Sequence, residues 1–98
     1  MIRSFRNKGT EEIFNGRSTE AARKFCPQSP WNIAFRKLDR LDSVLALDEL
    51  RIPPGTRLEA LSGDRKGQFS IRINDQFRIC FVWTENGPVD VEIVDYHL

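Results

Sequence analysis

The sequence predicts an α+β fold, with helical segments in the first half packed on one face of a twisted, mainly antiparallel sheet of about four to five strands. Three observations support this. Trp31, Ala34, Phe35, Leu38, Leu41 and Leu45 recur at helical spacing, while Arg36, Lys37, Asp39 and Arg40 occupy the other side. After Pro53-Pro54-Gly55 the apolar residues alternate with period two. Finally, 98 residues suit one domain with one modest core, and residues 1–98 are read as that domain.

Each element has a local cause. Met1 to Phe5 reads as a short N-terminal strand, and Thr10 to Phe14 as a short helix ended by Asn15-Gly16. Ser29-Pro30 supplies a helix start, an N-cap followed by proline at a position where its missing N–H costs nothing. Leu47 to Leu50 closes the helical region, because Pro53-Pro54-Gly55 cannot continue it. Arg57 to Leu61 adds a strand, and Gly63-Asp64-Arg65-Lys66-Gly67 is a turn that lacks the Walker pattern. Three strands follow, whose core faces are Phe69, Ile71 and Ile73, then Phe77, Ile79, Phe81 and Trp83, then Val89, Val91 and Ile93.

Composition narrows the function classes. Hydrophobic residues are 40% and charged residues 30% of the chain, a globular balance, and the net charge of +1 does not advertise general nucleic-acid binding. Any basic site must be a local cluster. Cys26 and Cys80 are too few and too isolated for a disulfide framework or a metal centre, and one histidine makes a zinc site implausible. The longest apolar run, Ile79 to Trp83, is too short to span a bilayer, and no apolar leader follows Met1. The expectation is a cytoplasmic protein with no cofactor, no metal and no membrane partner.

Register predicts where chemistry can gather. A three-residue loop at Asn74-Asp75-Gln76 faces Ile73 with Phe77 and sets Arg72 opposite Arg78 on the other face. Like charges in that position repel, which calls for an anion or for nearby carboxylates. Joining Trp83 to Val89 across Thr84 to Pro88 sets Val94 opposite Arg78, with Tyr96 one diagonal step away and Asp90 and Glu92 farther off. The strand ends at Asp95-Tyr96-His97, where the only imidazole of the chain can exchange a proton near neutrality.

These residues carry a resemblance. Met1-Ile2-Arg3-Ser4-Phe5, the run from Pro53 to Arg65, the hairpin from Ser70 to Phe81 and the closing Asp95-Tyr96-His97 together resemble HigB-type toxins, GraT-like members of the RelE/ParE superfamily also called plasmid-maintenance killer proteins. The resemblance covers essentially the whole chain. It implies a RelE-like fold and a toxin–antitoxin toxin that cleaves messenger RNA held on the ribosome. It also implies a cognate HigA/GraA-like antitoxin with a helix-turn-helix, which neutralises the toxin and brings it indirectly to operator DNA.

RNA cleavage by 2′-OH attack needs a base, an acid for the departing 5′-oxygen and cations for charge growing on phosphate. Arg78 suits the last role, since its planar fork matches phosphate oxygens. His97 serves as acid or base, Asp95 can set its tautomer, and Tyr96 can stack on a base or donate a hydrogen bond. Arg57, Arg65, Lys66 and Arg72 are the candidate RNA-backbone contacts. Strongly cleaving relatives carry further His or Lys side chains just before Gly-Asp-Arg, where this chain has Glu59 and Ser62.

Taken without the resemblance, His97 reads first as a surface histidine near a terminus, and the two arginines as a solvated strand face. Two other functions stay open: a ParE-like gyrase inhibitor, and a weak toxin kept mainly as partner and corepressor for its antitoxin.

Overall fold

The computed structural model describes residues 1–17, 20 and 31–95. The expected helix start at Ser29-Pro30, Cys26, and the site candidates Tyr96 and His97 lie outside the described residues.

Helix α1 spans Lys8–Phe14 and begins two residues earlier than Thr10, because Asn7 caps it: the Thr10 backbone N–H donates to Asn7 Oδ1 at 2.8 Å. It ends at Asn15, followed by Gly16 at φ +75°, as Asn15-Gly16 predicts. Helix α2 spans Trp31–Ser43 and buries Ala34, Leu38 and Leu41. Two of its expected core residues are not core. Phe35 is 42% exposed because it stands one residue, about 100°, around the helix from Ala34, at the margin of the apolar stripe.

Leu45 is 90% exposed, and the cause is a side chain that captures its backbone. Glu49 Oε2 accepts the N–H groups of Leu45 at 2.7 Å and Ala46 at 2.8 Å, so those amides leave the helical ladder and Val44 becomes the last buried residue of the stripe. A 3-10 helix at Leu47–Arg51 follows and buries Leu50. A second, Pro54–Thr56, comes after a cis Ile52-Pro53 bond.

The sheet has four strands in the order β1-β2-β3-β4: Glu59–Ala60, Phe69–Arg72, Phe77–Thr84 and Gly87–Asp95, each antiparallel to its neighbour. Strand β1 is shorter than the expected Arg57 to Leu61, and Gly63–Arg65 forms a 3-10 turn leading to β2. Odd-numbered residues of β2 and β3, with Val91 and Ile93 of β4, join Ile13, Ala34, Leu38, Leu41, Val44 and Leu50 in one core. The helices therefore cover one face of the sheet and leave the even-numbered face for function.

The expected N-terminal strand is not formed as an element. Residues 3–6 run beside β4 through a single parallel bridge, Phe5 with Val91, and three backbone bonds: Arg3 N–H to Pro88 O, Val91 N–H to Ser4 O and Arg6 N–H to Val91 O. Nevertheless they cover the sheet edge that β4 would otherwise expose. Thr10, fully buried, ties α1 to the same strand by accepting the Ile93 N–H on Oγ1 at 3.0 Å.

The β3–β4 turn differs from the expected Thr84 to Pro88 loop. Thr84 pairs with Gly87 and Trp83 with Pro88, so the connection is the two residues Glu85 and Asn86. Between Cys80–Glu92 and Val82–Val89 the register slips by one: Phe81 faces both Asp90 and Val91, and Asp90 takes φ +53°. This is a β-bulge, in which one extra residue is absorbed. Beyond it Arg78 lies opposite Val94, the expected pairing.

Gly87 is required where it stands. It has φ +121°, and a Cβ there would come within 2.3 Å of the Met1 carbonyl oxygen, so only glycine lets the N-terminal residues approach the turn.

Candidate active site

Arg72 and Arg78 are opposite one another on the face away from the helices, as the three-residue hairpin loop predicts. The repulsion is relieved by two carboxylates. Arg72 Nη2 pairs with Asp75 Oδ1 in the loop itself, and Arg78 Nη1 lies 3.6 Å from Glu59 Oε1. Glu59 reaches that place because β1 pairs it with Ser70, whose next neighbour across the sheet is Cys80. The side chain of Arg78 is 16% exposed and that of Glu59 is 50% exposed. A sheltered guanidinium thus meets a carboxylate that still faces solvent.

A second pair of arginines organises the other end of the face. Glu92, opposite Cys80, receives Arg65 Nη1 at 2.9 Å on Oε1 and Arg6 Nε at 3.4 Å on Oε2. Arg65 Nη1 also donates to Gln68 Oε1 at 3.1 Å. These residues and Asp64 line an open cleft of about 500 Å³. Arg65 thus holds Glu92 through Nη1 while its side chain stays 33% exposed beside the cleft. Asp90, expected with Glu92 as a carboxylate end, is exposed at the bulge.

Cys80 lies at the centre of this face and is fully buried. Burial pushes its thiol up; Arg65 lowers it, Glu92 raises it and Arg78 lowers it, with burial prevailing. A thiol held protonated is a poor nucleophile. Beside it in the ladder, the buried Ser70 hydroxyl has no hydrogen-bond partner among the described residues.

Asp95 closes β4 opposite Phe77, exposed, and accepts Gln76 Nε2 on Oδ2 at 3.2 Å. Arg57, at φ +49°, and Lys66 are exposed on connecting turns. The structure thus brings together Arg72, Arg78 and Arg65 on one face, places Asp95 at the end of β4 in register with the core residue Phe77 and so on the opposite side of the sheet from Arg78, and leaves Arg57 and Lys66 on the periphery. Sequence reasoning missed Glu59 as the partner of Arg78, and Arg6 as a partner of Glu92. Drawing the register of β1 against β2 is the step that finds Glu59. Among the described residues, no group of three or more His, Cys, Asp or Glu side chains is placed to hold a metal ion.

The profile of the family described as RelE-like toxin of type II toxin-antitoxin system HigB matches residues 3–97. The chain belongs to the HigB-like toxins. Among similar proteins, Toxin HigB-1 of Vibrio cholerae serotype O1 is 40% identical over 85 residues, which is 87% of this chain and 86% of that one. Endoribonuclease HigB of Proteus vulgaris is 28% identical over 97 residues, 99% of this chain and 100% of that one. An uncharacterized protein of Haemophilus influenzae is 32% identical over 71 residues, 72% of this chain and 69% of that one. As a HigB-like toxin of a type II system, the protein has an antitoxin as its partner. Among the described residues, no helix is long and apolar enough to cross a membrane.

Proposed function

We propose that this HigB-like toxin is a ribosome-dependent endoribonuclease that cleaves translated mRNA by metal-independent attack of a ribose 2′-OH on the adjacent phosphorus, inhibiting translation and growth. The observation that carries the reading is the Arg78–Glu59 pair: a sheltered guanidinium and an accessible carboxylate, 3.6 Å apart on the face the core does not use. The name of the Proteus vulgaris relative supports the reaction class.

In this reading Arg78 binds the scissile phosphate and stabilises the charge that grows on its oxygens. Glu59 exchanges its hold on Arg78 for the 2′-OH and takes its proton, the O2′–P bond forms, and the P–O5′ bond breaks. His97 gives a proton to the departing O5′, leaving a 2′,3′-cyclic phosphate and a 5′-hydroxyl end. Asp95 orients His97, and Tyr96 stacks on a neighbouring base. Arg72 adds positive potential beside Arg78, with Arg57, Arg65 and Lys66 contributing to the backbone path. The ribosome supplies the positioning that a chain of net charge +1 does not provide by itself. The antitoxin is HigA/GraA-like, with a helix-turn-helix that brings the toxin indirectly to operator DNA, and the toxin acts in the cytoplasm.

The test is a reconstituted translation reaction on one defined mRNA, with cleavage mapped by primer extension. Wild-type protein is expected to cut the ribosome-bound message and spare the naked one, and Arg78→Ala to cut neither. Equal cutting of naked RNA would remove ribosome dependence from the account. Absent cleavage together with blocked DNA supercoiling would establish the ParE-like gyrase inhibitor instead.

A further inference from the structure

Next to the β2 end of the catalytic face, α2 and the segment after it border an open pocket of about 260 Å³ lined by Ile33, Arg36, Lys37, Arg40, Pro53 and Thr56. Three of its six walls are cations. Arg40 is structurally engaged, since its Nη2 donates to the Glu49 and Ile52 carbonyl oxygens at 3.0 and 3.3 Å. That fixes the 3-10 segment against α2. Among the described residues, neither Arg36 nor Lys37 forms an ion pair with a carboxylate. Lys37 Nζ has a hydroxyl near it, Thr56 Oγ1, at 3.5 Å.

Clustered like charges with no carboxylate between them are unfavourable unless an anion joins them. The repulsion leaves a trace on Lys37, whose ammonium is held below the usual lysine range by burial first, then by Arg36 and then by Arg72. The packing makes the same link: the Pro54–Thr56 turn, which brings Thr56 to the pocket, packs against β2, whose last residue, Arg72, stands opposite Arg78.

We propose that the Arg36–Lys37–Thr56 pocket is a second RNA subsite, which holds a backbone phosphate of the strand whose scissile phosphate lies at Arg78. This rests on the RNA-cleavage reading above. An arginine fork and a lysine point charge bind a phosphodiester from two directions, and the Thr56 hydroxyl adds a donor. Ile33 and Pro53 give the pocket apolar sides, which suit a phosphate with its adjoining ribose. The continuity with Arg72 favours one RNA strand running between the two places over a separate acidic protein segment.

The experiment uses the full chain and an uncleavable 2′-O-methyl RNA hexamer, followed by backbone amide NMR, with inorganic phosphate and an oligo-aspartate peptide as parallel probes. Hexamer is expected to shift the Lys37 and Thr56 amides together with those of Arg72 and Arg78. For the R36Q/K37Q variant, affinity is expected to fall about tenfold and the salt dependence to flatten by about 0.7 for each phosphate the variant no longer neutralises. Arg78→Ala is expected to leave the pocket shifts in place, and a thermal melt confirms that each variant folds.

Shifts confined to the Arg72–Arg78 face, with unchanged affinity for the double variant, overturn the second subsite and leave the nuclease reading intact. Pocket shifts produced by oligo-aspartate but not by hexamer overturn it in favour of an acidic protein partner. A pocket that binds hexamer in a protein with no cleavage on ribosomes supports the subsite and overturns the nuclease.

Discussion

Replacing Glu59 by glutamine separates two roles its position allows. As the acceptor of the 2′-OH proton, Glu59 contributes the roughly 100- to 10,000-fold typical of a general base. As a brake that occupies Arg78, it contributes only what the ion pair is worth. Two unit charges about 4 Å apart attract by ~4 kcal/mol at the effective dielectric of a protein surface. However, Glu59 is 50% exposed, and exposed pairs net only about 0.2–1 kcal/mol. Freeing Arg78 therefore accelerates cleavage by about fivefold at most, since 1.4 kcal/mol is about tenfold. The base role dominates by more than an order of magnitude. Single-turnover cleavage of ribosome-bound mRNA is expected to slow at least about 20-fold in Glu59→Gln, the ~100-fold loss of a general base offset by the ~fivefold gain from a freed Arg78. A 5′-phosphorothiolate linkage, whose sulfur leaves without an acid, is expected to rescue His97→Ala but not Glu59→Gln. A Glu59→Gln protein that cleaves as fast as wild type, or faster, would refute the reasoning and make Glu59 a brake.

Other expectations concern the fold. Gly87→Ala places a Cβ on the Met1 carbonyl at positive φ and is expected to destabilise by about 2 kcal/mol in urea unfolding. Leu38→Ala, at a fully buried position, is expected to cost about 3 kcal/mol by the same measurement. The Glu49 carboxyl is held below the usual range by the Ala46 N–H and then the Leu45 N–H. Because its folded-state pKa is depressed, its contribution is complete above the unfolded value of about 4.3 and is lost as pH falls through the folded one. Melting temperatures from pH 6 to pH 2.5 are expected to drop less steeply for Glu49→Gln than for wild type.

The fold was legible where hydrophobic periodicity alone decides it. Phe69 to Trp83 fixed one hairpin, and its three-residue loop gave the Arg72–Arg78 pairing directly. The Arg78–Val94 pairing came out correctly from an incorrect turn. The real turn is shorter than the expected one, and the Asp90 bulge restores the offset, a compensation no alternation pattern reveals. Leu45 matched the helical period, but Glu49 takes the backbone amides that would have kept it there. Glu59 was invisible as a site residue because β1 is two residues long and pairs only after the 3-10 turn at Gly63–Arg65. The Arg6–Glu92–Arg65 arrangement joins three distant parts of the chain, which a period cannot encode.

The central claim is most directly tested by mapping 5′-hydroxyl RNA ends across a bacterial transcriptome after brief induction of wild type, Arg78→Ala and His97→Ala. The account predicts new ends inside translated reading frames for wild type, absent from both variants. Growth arrest by wild type with no new ends, or ends that persist in both variants, would contradict it.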